Sequence, residues 1–455
     1  MKVQQFRKSA LRLALLAPVM AIGLVGCGSD DDNDSGPASS YVRVLHASPD
    51  APAVDVLVNG QVALPGVEFQ QGSGYLKLTE GENTVALRVS GSDTIALEQT
   101  LTLAANGYYS VIAQDEVASL ELEVLDDTER RRNGSNDVTV VHASPAAGDV
   151  DIYVTAPGID LPTTPAVDNV PFDANDTLTD IAAGDYQVRA TAASGGDVVY
   201  DSGTLAIASD VTAVAVNSTK GASPVSLLVW ADAQTPVTPV LDNSAEVRIV
   251  HAVDSVLVDV FANGAELLGD FDYTDTTNGY VKVEAGELDV AIAAANQGIG
   301  NALTNLSGTL TLARGESYTV IAAGDDGAVE EAQLIVLTDE RENDSTSEGK
   351  VRLVHGSSAS AADPVDIFVY AQGAQQPATP TFGDVVLGED TGYVSLSTGT
   401  YTVDIAADGT TTAAVPGTDA VAVTAGSLQT AIAVGNGSGL SAILLNDNRN
   451  PSLGE

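Results

Sequence analysis

Short segments in which apolar and polar residues alternate fill the chain from about residue 40 onwards, and they recur in the same order four times. Side chains of a β-strand point alternately to opposite faces, so this period-two pattern predicts strands. The opening segment of each period carries a recognisable phrase. The four copies are "VRVLHASPDAPAVDV" from Val42, "VTVVHASPAAGDVDI" from Val138, "VRIVHAVDSVLVDV" from Val247 and "VRLVHGSSASAADPVDI" from Val351.

The repetition predicts an all-β fold of four tandem Ig-like antiparallel β-sandwich domains. Each period holds about seven short segments, and pairs such as Asn59-Gly60 and Asn263-Gly264 between them favour hairpin turns. An internal period of this length indicates one unit used repeatedly. Nothing in the chain after its N-terminal segment requires a helix. The predicted repeats 1 to 4 span residues 41–127, 137–232, 245–338 and 349–447, with polar linkers between them.

All four histidines of the chain lie in the repeated phrase. Val42, Val44 and His46 share one strand face, so the histidine ends a row of core residues at the rim of its sandwich. A neutral imidazole there can donate one hydrogen bond to the following loop and accept another. We therefore expect a structural role; a metal ligand is the alternative, although zinc needs three or four protein ligands. The equivalent histidines are His46, His142, His251 and His355.

An aspartate in the second strand of each repeat is the other recurring polar residue. These residues are Asp55, Asp151, Asp259 and Asp366. If the flanking apolar residues face the core, the aspartate points away from it, towards the face that carries Arg43 on the first strand. The pattern thus predicts exposed cross-strand pairs that fix strand register. The expected pairs are Arg43–Asp55, Arg248–Asp259 and Arg352–Asp366, with Thr139 opposite Asp151.

The N-terminal 26 residues have the anatomy of a secretory signal: four basic residues, an apolar run and a short motif "LVGC" that ends at Cys27. This motif resembles a bacterial lipobox, which implies cleavage before Cys27, a lipid on its thiol, and anchoring to a membrane. Gly28 follows the cysteine, which by analogy with Gram-negative lipoproteins favours the outer membrane. Residues 27–40 are polar, which predicts a flexible tether.

Charge narrows the choice of partners. Without residues 1–26 the chain has 15 basic and 62 acidic residues, a formal net charge of −47. Such a surface excludes nucleic acid as a natural partner. Cys27 is the only cysteine, so no disulfide stabilises the chain.

Catalytic patterns are missing from the sequence. Ser48 and Ser144 follow their histidines closely, but Val253 takes that place in the third repeat. Strand parity also separates each histidine from the aspartate of its phrase. No nucleophile elbow, phosphate-binding loop or metalloprotease motif is present. We expect a protein without enzymatic activity and without a cofactor.

The linkers carry the remaining charged clusters. Arg130, Arg131 and Arg132 are interpreted as an exposed linker, with a salt-bridge dock onto a neighbouring repeat as the alternative. Acidic linker residues suggest a second hypothesis, calcium-dependent rigidification, against the simpler interpretation of a solvated acidic surface. The candidates for it are Asp126, Asp127, Asp339, Glu340 and Glu342.

The phrase "VRVLHASPDAPAVDVLVNG", followed by "GYLKL" and "GENTVAL", resembles the family called domain of unknown function 4397. The resemblance implies an exported bacterial protein with tandem domains, often a lipoprotein, but no functional residues. We expect a non-enzymatic, lipid-anchored stalk or adhesion module of the cell envelope that contacts a protein or glycan at the cell surface. Binding of a glycan or peptide at loops of the sandwich ends is the alternative, although Trp230, the only tryptophan, is expected to pack in a core or linker.

Overall fold

The protein's structure, a computed structural model, describes most of the chain after the predicted tether. The predicted signal peptide, Cys27 and most of the tether lie outside the described residues. No helix in the described part of the chain is long and apolar enough to cross a membrane. The described residues are 37–133, 136–193, 195–231, 237–254, 256–324, 332–357, 363–413, 420–435 and 440–449.

Repeats 1 and 2 are built from strands alone, apart from short turns of helix. The strands of repeat 1 are β1 (Ser39–His46), β2 (Val54–Val58), β3 (Gln61–Val67), β4 (Leu76–Thr79), β5 (Gly81–Val89), β6 (Ile95–Leu103), β7 (Tyr108–Gln114) and β8 (Glu121–Asp126). Those of repeat 2 are β9 (Val138–Ala143), β10 (Val150–Thr155), β11 (Val167–Val170), β12 (Asn175–Leu178), β13 (Gly184–Ala192), β14 (Val198–Ile207), β15 (Val211–Asn217), β16 (Val225–Ala231) and β17 (Thr238–Val240). Each repeat thus exceeds the seven strands predicted from sequence.

Repeats 3 and 4 follow the same plan. The strands of repeat 3 are β18 (Ser244–Ala252), β19 (Val258–Ala262), β20 (Ala265–Phe271), β21 (Val281–Glu284), β22 (Gly286–Ala294), β23 (Gly308–Leu312), β24 (Ser317–Ala323) and β25 (Gln333–Asp339). Those of repeat 4 are β26 (Glu348–His355), β27 (Val365–Ala371), β28 (Phe382–Val385), β29 (Val394–Ser397), β30 (Gly399–Ala407), β31 (Val421–Val423), β32 (Leu428–Val434) and β33 (Ser441–Asn446).

Two sheets face each other in every repeat, which confirms the predicted all-β tandem sandwiches. The first sheet holds the histidine strand, in the orders β4-β1-β7-β8, β12-β9-β15-β16-β17, β21-β18-β24-β25 and β29-β26-β32-β33. The second sheet holds the aspartate strand, in the orders β3-β2-β5-β6, β11-β10-β13-β14, β20-β19-β22-β23 and β28-β27-β30-β31. The pairing is antiparallel except that the histidine strand runs parallel to the strand on its other side, as β1 does to β7.

The core of each sandwich lies between its two sheets. In repeat 1, Val42 and Val44 of β1 pack against Val54 and Val56 of β2, and all four are almost fully buried. The other repeats have equivalent cores. The faces assigned to these residues by the alternation of the sequence are therefore those that the fold uses.

Helix is confined to short turns. Arg130–Asn133 forms α1 in the linker between repeats 1 and 2, where the sequence had predicted no helix. Elsewhere in the described ranges, 3-10 turns occur at Val117–Ser119, Pro145–Ala147, Ile299–Asn301 and Thr304–Leu306.

The predicted Arg43–Asp55 pair is wrong. Arg43 lies on β1 of the first sheet and Asp55 on β2 of the second, so the two strands are not neighbours. The same separation rules out Arg248–Asp259 and Arg352–Asp366, and Thr139 contacts Thr177 of β12 rather than Asp151. Sequential strands were assumed to pair, whereas here the chain crosses from one sheet to the other between them.

Candidate functional site

The outer faces of the first sheets are covered by neighbouring repeats. In repeats 1 and 2, Leu45 and Ile112 pack with Val141, Val214 and Leu228, and all five side chains are completely buried. None of these residues faces the core of its own sandwich. The two repeats therefore share a second apolar core, which sequence analysis had assigned to solvent.

Repeats 3 and 4 pack in the same way. Val250 and Ile321 of repeat 3 meet Val354, Ile432 and Val434 of repeat 4 in one buried cluster. The four repeats thus form two docked pairs, 1 with 2 and 3 with 4. Side chains that alternate between two buried faces explain why the histidine strands are apolar on both sides.

Arginine and aspartate form reciprocal ion pairs beside the apolar core of pair 3–4. Arg248 of repeat 3 lies 2.6 Å from Asp447 of repeat 4, and Arg352 of repeat 4 contacts Asp339 of repeat 3. No more than 4% of any of the four side chains is exposed. Each repeat gives one arginine and receives one, as expected for two similar surfaces related by an approximate two-fold axis.

Further polar groups complete this arginine–aspartate cluster. Thr319 and Thr430 each donate a hydrogen bond of 2.6 Å to the aspartate of their own repeat. Tyr280 donates to Asp339, and its ring lies 4.6 Å from the Arg248 guanidinium. Burial is the largest single effect on the pKa of Arg352 and lowers it, but the charges of Asp339, Tyr393 and Asp447 and the hydrogen bond to Asp339 together outweigh burial, so the pKa is raised. The buried charges are thus compensated by partners from both repeats.

Pair 1–2 has a variant of the same cluster. Arg43 donates to Thr212 of repeat 2 at 2.8 Å and lies 3.8 Å from Asp127 of its own repeat. Thr139 of repeat 2 occupies the strand position that Arg352 holds in repeat 4, so the second arginine is missing there. Arg130 of α1 replaces it, because its guanidinium lies 2.8 Å from Asp127 and 3.2 Å from the Thr212 hydroxyl.

The arginines of the first linker are therefore not an exposed segment. Arg130 is 7% exposed, and Arg131 lies over the rings of Tyr75 and Tyr108 at 5.0 and 4.5 Å. Only Arg132 matches the exposed-linker interpretation, with half of its side chain accessible. Arg130 instead matches the alternative interpretation from the sequence, in which the linker docks onto a neighbouring repeat.

Trp230 lies in the interface of pair 1–2, in agreement with its expected packing role. The ring is fully buried, and its Nε1 donates to the Ser73 carbonyl of repeat 1 at 3.1 Å. The Arg43 guanidinium lies 4.0 Å from the ring centroid, a cation–π distance. The indole is thus part of the docking surface and is not available to an external ligand.

The histidines bind the loops that follow them. His46 Nε2 lies 3.3 Å from the Pro52 carbonyl, and Ser48 N–H donates to its Nδ1 at 3.3 Å. His142 repeats both contacts, with the Gly148 carbonyl at 2.6 Å and the Ser144 N–H at 3.4 Å. This arrangement requires the tautomer that carries its proton on Nε2.

Repeats 3 and 4 keep only part of this arrangement. His251 Nε2 lies 2.8 Å from the Val256 carbonyl, but its Nδ1 has no hydrogen-bond partner among the described residues. His355 Nε2 lies 3.7 Å from Asp363. Burial lowers the pKa of His46, His142 and His251, and their hydrogen bonds to backbone carbonyls partly oppose this effect. Burial thus favours the neutral imidazole in these three repeats.

The repeated aspartates hold a bulge between the second and third strands of each sandwich. Each carboxylate is almost completely buried and accepts a hydrogen bond from the N–H of a residue with positive φ, beside a shift in strand register. Positive φ costs little for Gly but more for other residues, so the acceptor stabilises the bulge. The bonds are Gly66 to Asp55 at 2.9 Å, Asn169 to Asp151 at 2.8 Å, Asp270 to Asp259 at 3.0 Å and Asp384 to Asp366 at 3.3 Å.

The actual ion-pair partner of Asp55 is Arg88 of the adjacent strand β5. The two side chains are 2.7 Å apart, and this hydrogen bond is the largest contribution to the lowered pKa of Asp55. The aspartates thus act within the second sheet, and the arginines of the histidine strands act between repeats.

Most of the acids proposed to bind calcium already have cationic partners. Asp127 and Asp339 belong to the arginine clusters, Glu340 pairs with Lys350, and Glu342 lies 3.2 Å from Arg449. Asp126 accepts a hydrogen bond from the Thr128 N–H. In the described residues, no three His, Cys, Asp or Glu side chains are arranged to hold a metal ion.

Sequence reasoning missed the arginine–aspartate clusters, although a signal for them exists. Arginine stands three residues before the histidine in repeats 1, 3 and 4, and each of these repeats ends its last strand beside an aspartate. Both positions recur together because they meet across the interface. Thr139 of repeat 2 and the arginines of the preceding linker mark the place where this pattern changes.

Two solved structures with distant similarity to the chain illustrate the comparison. The Bacillus anthracis TIE protein is 12% identical, with 87% of this chain and 68% of that chain covered and a TM-score of 0.15. A product complex of the multi-modular glycogen-degrading pneumococcal virulence factor SpuA is 10% identical, with 82% and 37% covered and a TM-score of 0.16. Neither likeness carries a functional argument. No curated protein matches the chain significantly.

One family profile matches the chain, that of the domain of unknown function DUF4397. It matches residues 40–153, 245–368 and 358–455, so that repeats 1, 3 and 4 are covered, together with the first strands of repeat 2. The profile leaves most of repeat 2 unmatched, although Thr139 itself lies inside the first matched span. Because the matches together cover well over half of the sequence, the chain belongs to the DUF4397 family.

Proposed function

We propose that the protein is a non-enzymatic, lipid-anchored component of the cell envelope, in which two docked pairs of repeats form a spacer or interaction module. The attachment rests on the N-terminal signal and Cys27, and the outer membrane is the favoured location because Gly28 follows the cysteine. The observation that carries the proposal is the docking of the repeats. Docking joins small sandwiches into stiffer bodies without a disulfide.

The interfaces within pairs support a mechanical role. Each has its own buried apolar cluster and a buried arginine–aspartate cluster. Apolar burial contributes roughly 25 cal/mol per Å². Leaving a buried charge without its partner costs several kcal/mol, so separating paired repeats is unfavourable. A pair of sandwiches is therefore a more rigid element than two sandwiches on a flexible linker.

The contacts between the two pairs are mainly polar. Asp242 of the junction is buried, accepts a hydrogen bond from the Asp201 N–H at 2.7 Å and pairs with Lys282 at 3.0 Å, but the ion pair between repeats 2 and 3 themselves is more exposed. Lys220 of repeat 2 pairs with Glu316 of repeat 3, with side chains 52% and 31% exposed. Arg314 donates to the Ser202 carbonyl at 2.7 Å, and Arg449 donates to the Ser218 carbonyl at 3.1 Å. Exposed ion pairs contribute about 0–1 kcal/mol each. The spacer would accordingly bend between repeats 2 and 3.

The recurring polar residues support a structural interpretation over a catalytic one. The imidazoles bind loop carbonyls of their own repeats, and the aspartates bind backbone N–H groups of bulges. General acid–base chemistry needs such groups within hydrogen-bond reach of a substrate. The glycan-binding alternative depended on exposed aromatic side chains, and Trp230 is enclosed by repeat 1.

Membrane fractionation of a Gram-negative host tests the anchored location. The full chain should sediment with the outer membrane, whereas a Cys27→Ala variant should be recovered in the soluble envelope fraction. Recovery of both proteins in the same fraction would contradict lipid attachment.

Small-angle scattering of the chain without residues 1–26 tests the spacer. We expect two rigid lobes joined at the junction of repeats 2 and 3. Scattering typical of four independently moving domains would reject the mechanical role.

A further inference from the structure

Strand β17 closes one edge of repeat 2. It lies in the linker after β16, at Thr238–Val240, and pairs antiparallel with β16 so that Val240 stands opposite Leu227. The Val240 side chain packs against the core of repeat 2. The preceding residue, Val237, packs against the apolar cluster between repeats 1 and 2. This short segment thus completes both a sheet and an interface.

The equivalent edge of repeat 4 is open. β33 has the place in repeat 4 that β16 has in repeat 2, and in the described ranges no strand pairs with its outer side. Leu444 of β33 pairs with Ala431 in the register in which Val229 of β16 pairs with Ala213. β17 pairs with Val229, whereas 56% of Leu444 is exposed. The described part of the chain therefore supplies no strand that covers Leu444.

Repeats 1 and 3 protect the same edge by other means. β8 of repeat 1 carries three acids, and charges on an edge strand discourage pairing with other chains. β25 of repeat 3 leaves 42% of Val336 exposed, but the 3-10 turn Thr304–Leu306 lies against this strand and buries Leu306 in the core. β33 has the sequence Ser-Ala-Ile-Leu-Leu-Asn, with no charge and no proline. It is thus the least protected of the four strands at this edge.

A strand beside β33 would lie between repeats 3 and 4. In pair 1–2, Val237 lies beside Gly72, which bridges to Leu45 of β1. Thr276 of repeat 3 bridges to Val250 of β18 at the equivalent position, so the second wall is present in pair 3–4. A second copy that offered its own β33 would bring its own repeat 3 to the same place, and both chains are strongly acidic. A single extended segment of another protein fits this edge better.

We propose that the edge of β33 binds an extended segment of a partner protein, which adds antiparallel to the sheet as β17 does in repeat 2. The segment is uncharged or basic, because this chain is strongly acidic. It places one apolar side chain towards the core, as Val240 does, and another towards the neighbouring repeat, as Val237 does. Main-chain hydrogen bonds give added strands their affinity, and pockets for alternate side chains give them specificity.

This proposal names the partner of the interaction module proposed above and rests on that role. Its test measures peptide binding by the chain without residues 1–26. Failure here is therefore distinct from failure of the membrane anchor, which fractionation measures, and from failure of the spacer, which scattering measures.

The chain's own linker provides the probe, since β17 pairs with the equivalent edge of repeat 2. The peptide Thr-Pro-Val-Thr-Pro-Val-Leu, residues 235–241, carries blocked ends and an uncharged fluorescent label. Its anisotropy is followed as the chain without residues 1–26 is added. We expect saturable binding at one site. A peptide with Val240→Ser should bind at least about tenfold more weakly, because it lacks the side chain that packs against the core.

Variants of the chain locate the site. Leu444→Lys places a charge at the open edge and should weaken binding of the unmodified peptide at least about tenfold. Ile159→Lys is the matched control, because Ile159 is also 56% exposed and lies in a turn of repeat 2. It should bind the peptide as the unmodified chain does. Both variants should unfold at the urea midpoint of the unmodified chain, which separates loss of binding from loss of folding.

Three results would overturn the proposal. The first is the absence of saturable peptide binding by the unmodified chain. The second is equal binding by the Leu444→Lys and Ile159→Lys variants. The third is a dimer of the unmodified chain in light scattering that Leu444→Lys converts to a monomer, because a second copy would then occupy the edge.

Discussion

Replacing Arg130 by Met removes the arginine that compensates for Thr139 in pair 1–2. Its guanidinium is the closest cationic partner of Asp127, at 2.8 Å, and only 6% and 3% of the two side chains are exposed. Met keeps most of the aliphatic volume but carries no charge. The substitution therefore tests whether this linker residue is part of the interface between the repeats.

The expected loss in the free energy of unfolding depends on the partners that Asp127 retains in the variant. Breaking a buried ion pair from one side costs about 3–5 kcal/mol. Asp127 retains Arg43 at 3.8 Å and hydrogen bonds from Ser110 and Tyr75, so the loss should lie at the lower end, about 3 kcal/mol. This corresponds to a change of roughly a hundredfold in the unfolding equilibrium of the pair, since about 1.4 kcal/mol is a factor of ten.

Urea unfolding followed by Trp230 fluorescence measures this cost, because the only tryptophan lies in this interface. The midpoint should fall by on the order of 1 M urea. Arg132→Met is the matched control, since Arg132 is 51% exposed and its partner Glu129 is 91% exposed. That change should stay within about 0.5 kcal/mol.

Adding Thr139→Arg to the Arg130→Met variant tests whether an arginine at position 139 can replace Arg130. It places an arginine where Arg352 reaches Asp339 in pair 3–4, so it should recover most of the lost stability. Equal effects of Arg130→Met and Arg132→Met would refute the assignment of Arg130 to the interface. Failure of Thr139→Arg to restore any stability would refute the equivalence of the two clusters.

Two further predictions concern the recurring residues. Burial lowers the pKa of His46, His142 and His251 in the folded chain, so the unfolded chain binds more protons as the pH falls. The contribution of these histidines to the free energy of unfolding is therefore complete above about pH 6.5 and declines below that pH. His251→Gln should reduce the fall in the urea midpoint between pH 7.5 and 5.5, and an unchanged pH dependence would contradict this. Asp259→Ala leaves the N–H groups of Asp270 and Asn296 without an acceptor and should cost repeat 3 about 2 kcal/mol in calorimetric melting. Exposed Glu287→Ala should have little effect, and equal costs would disprove the bulge assignment.

The sequence predicted the strands, the repeats and the faces of the sandwich cores because these follow from local alternation. Val42 and Val44 lie on the core face that alternation gives them. Alternation does not say which strand is the neighbour, and for this reason Arg43 was paired with Asp55 although the two lie in different sheets. Partition of strands between two sheets depends on contacts that are distant in sequence.

The docking of repeats was harder to predict than the fold. Leu45, Val141, Val250 and Val354 make the histidine strands apolar on both faces, a pattern typical of strands covered on both sides. That pattern does not identify what covers the second face. The sequence did not predict that Arg130 takes the place of the arginine missing at position 139. The two residues belong to different secondary-structure elements, and Arg130 reaches Thr212, the sheet neighbour of Thr139, only in the docked pair.

Acrylamide quenching of Trp230 in the native chain without residues 1–26 tests the central claim most directly. The indole lies on the outer face of its own sandwich, and repeat 1 covers it through Ser73, Leu45 and Arg43. The account predicts a blue-shifted emission and strong protection from acrylamide in the native protein. A native emission at the wavelength of the unfolded chain, quenched as readily, would show that the repeats are separate domains.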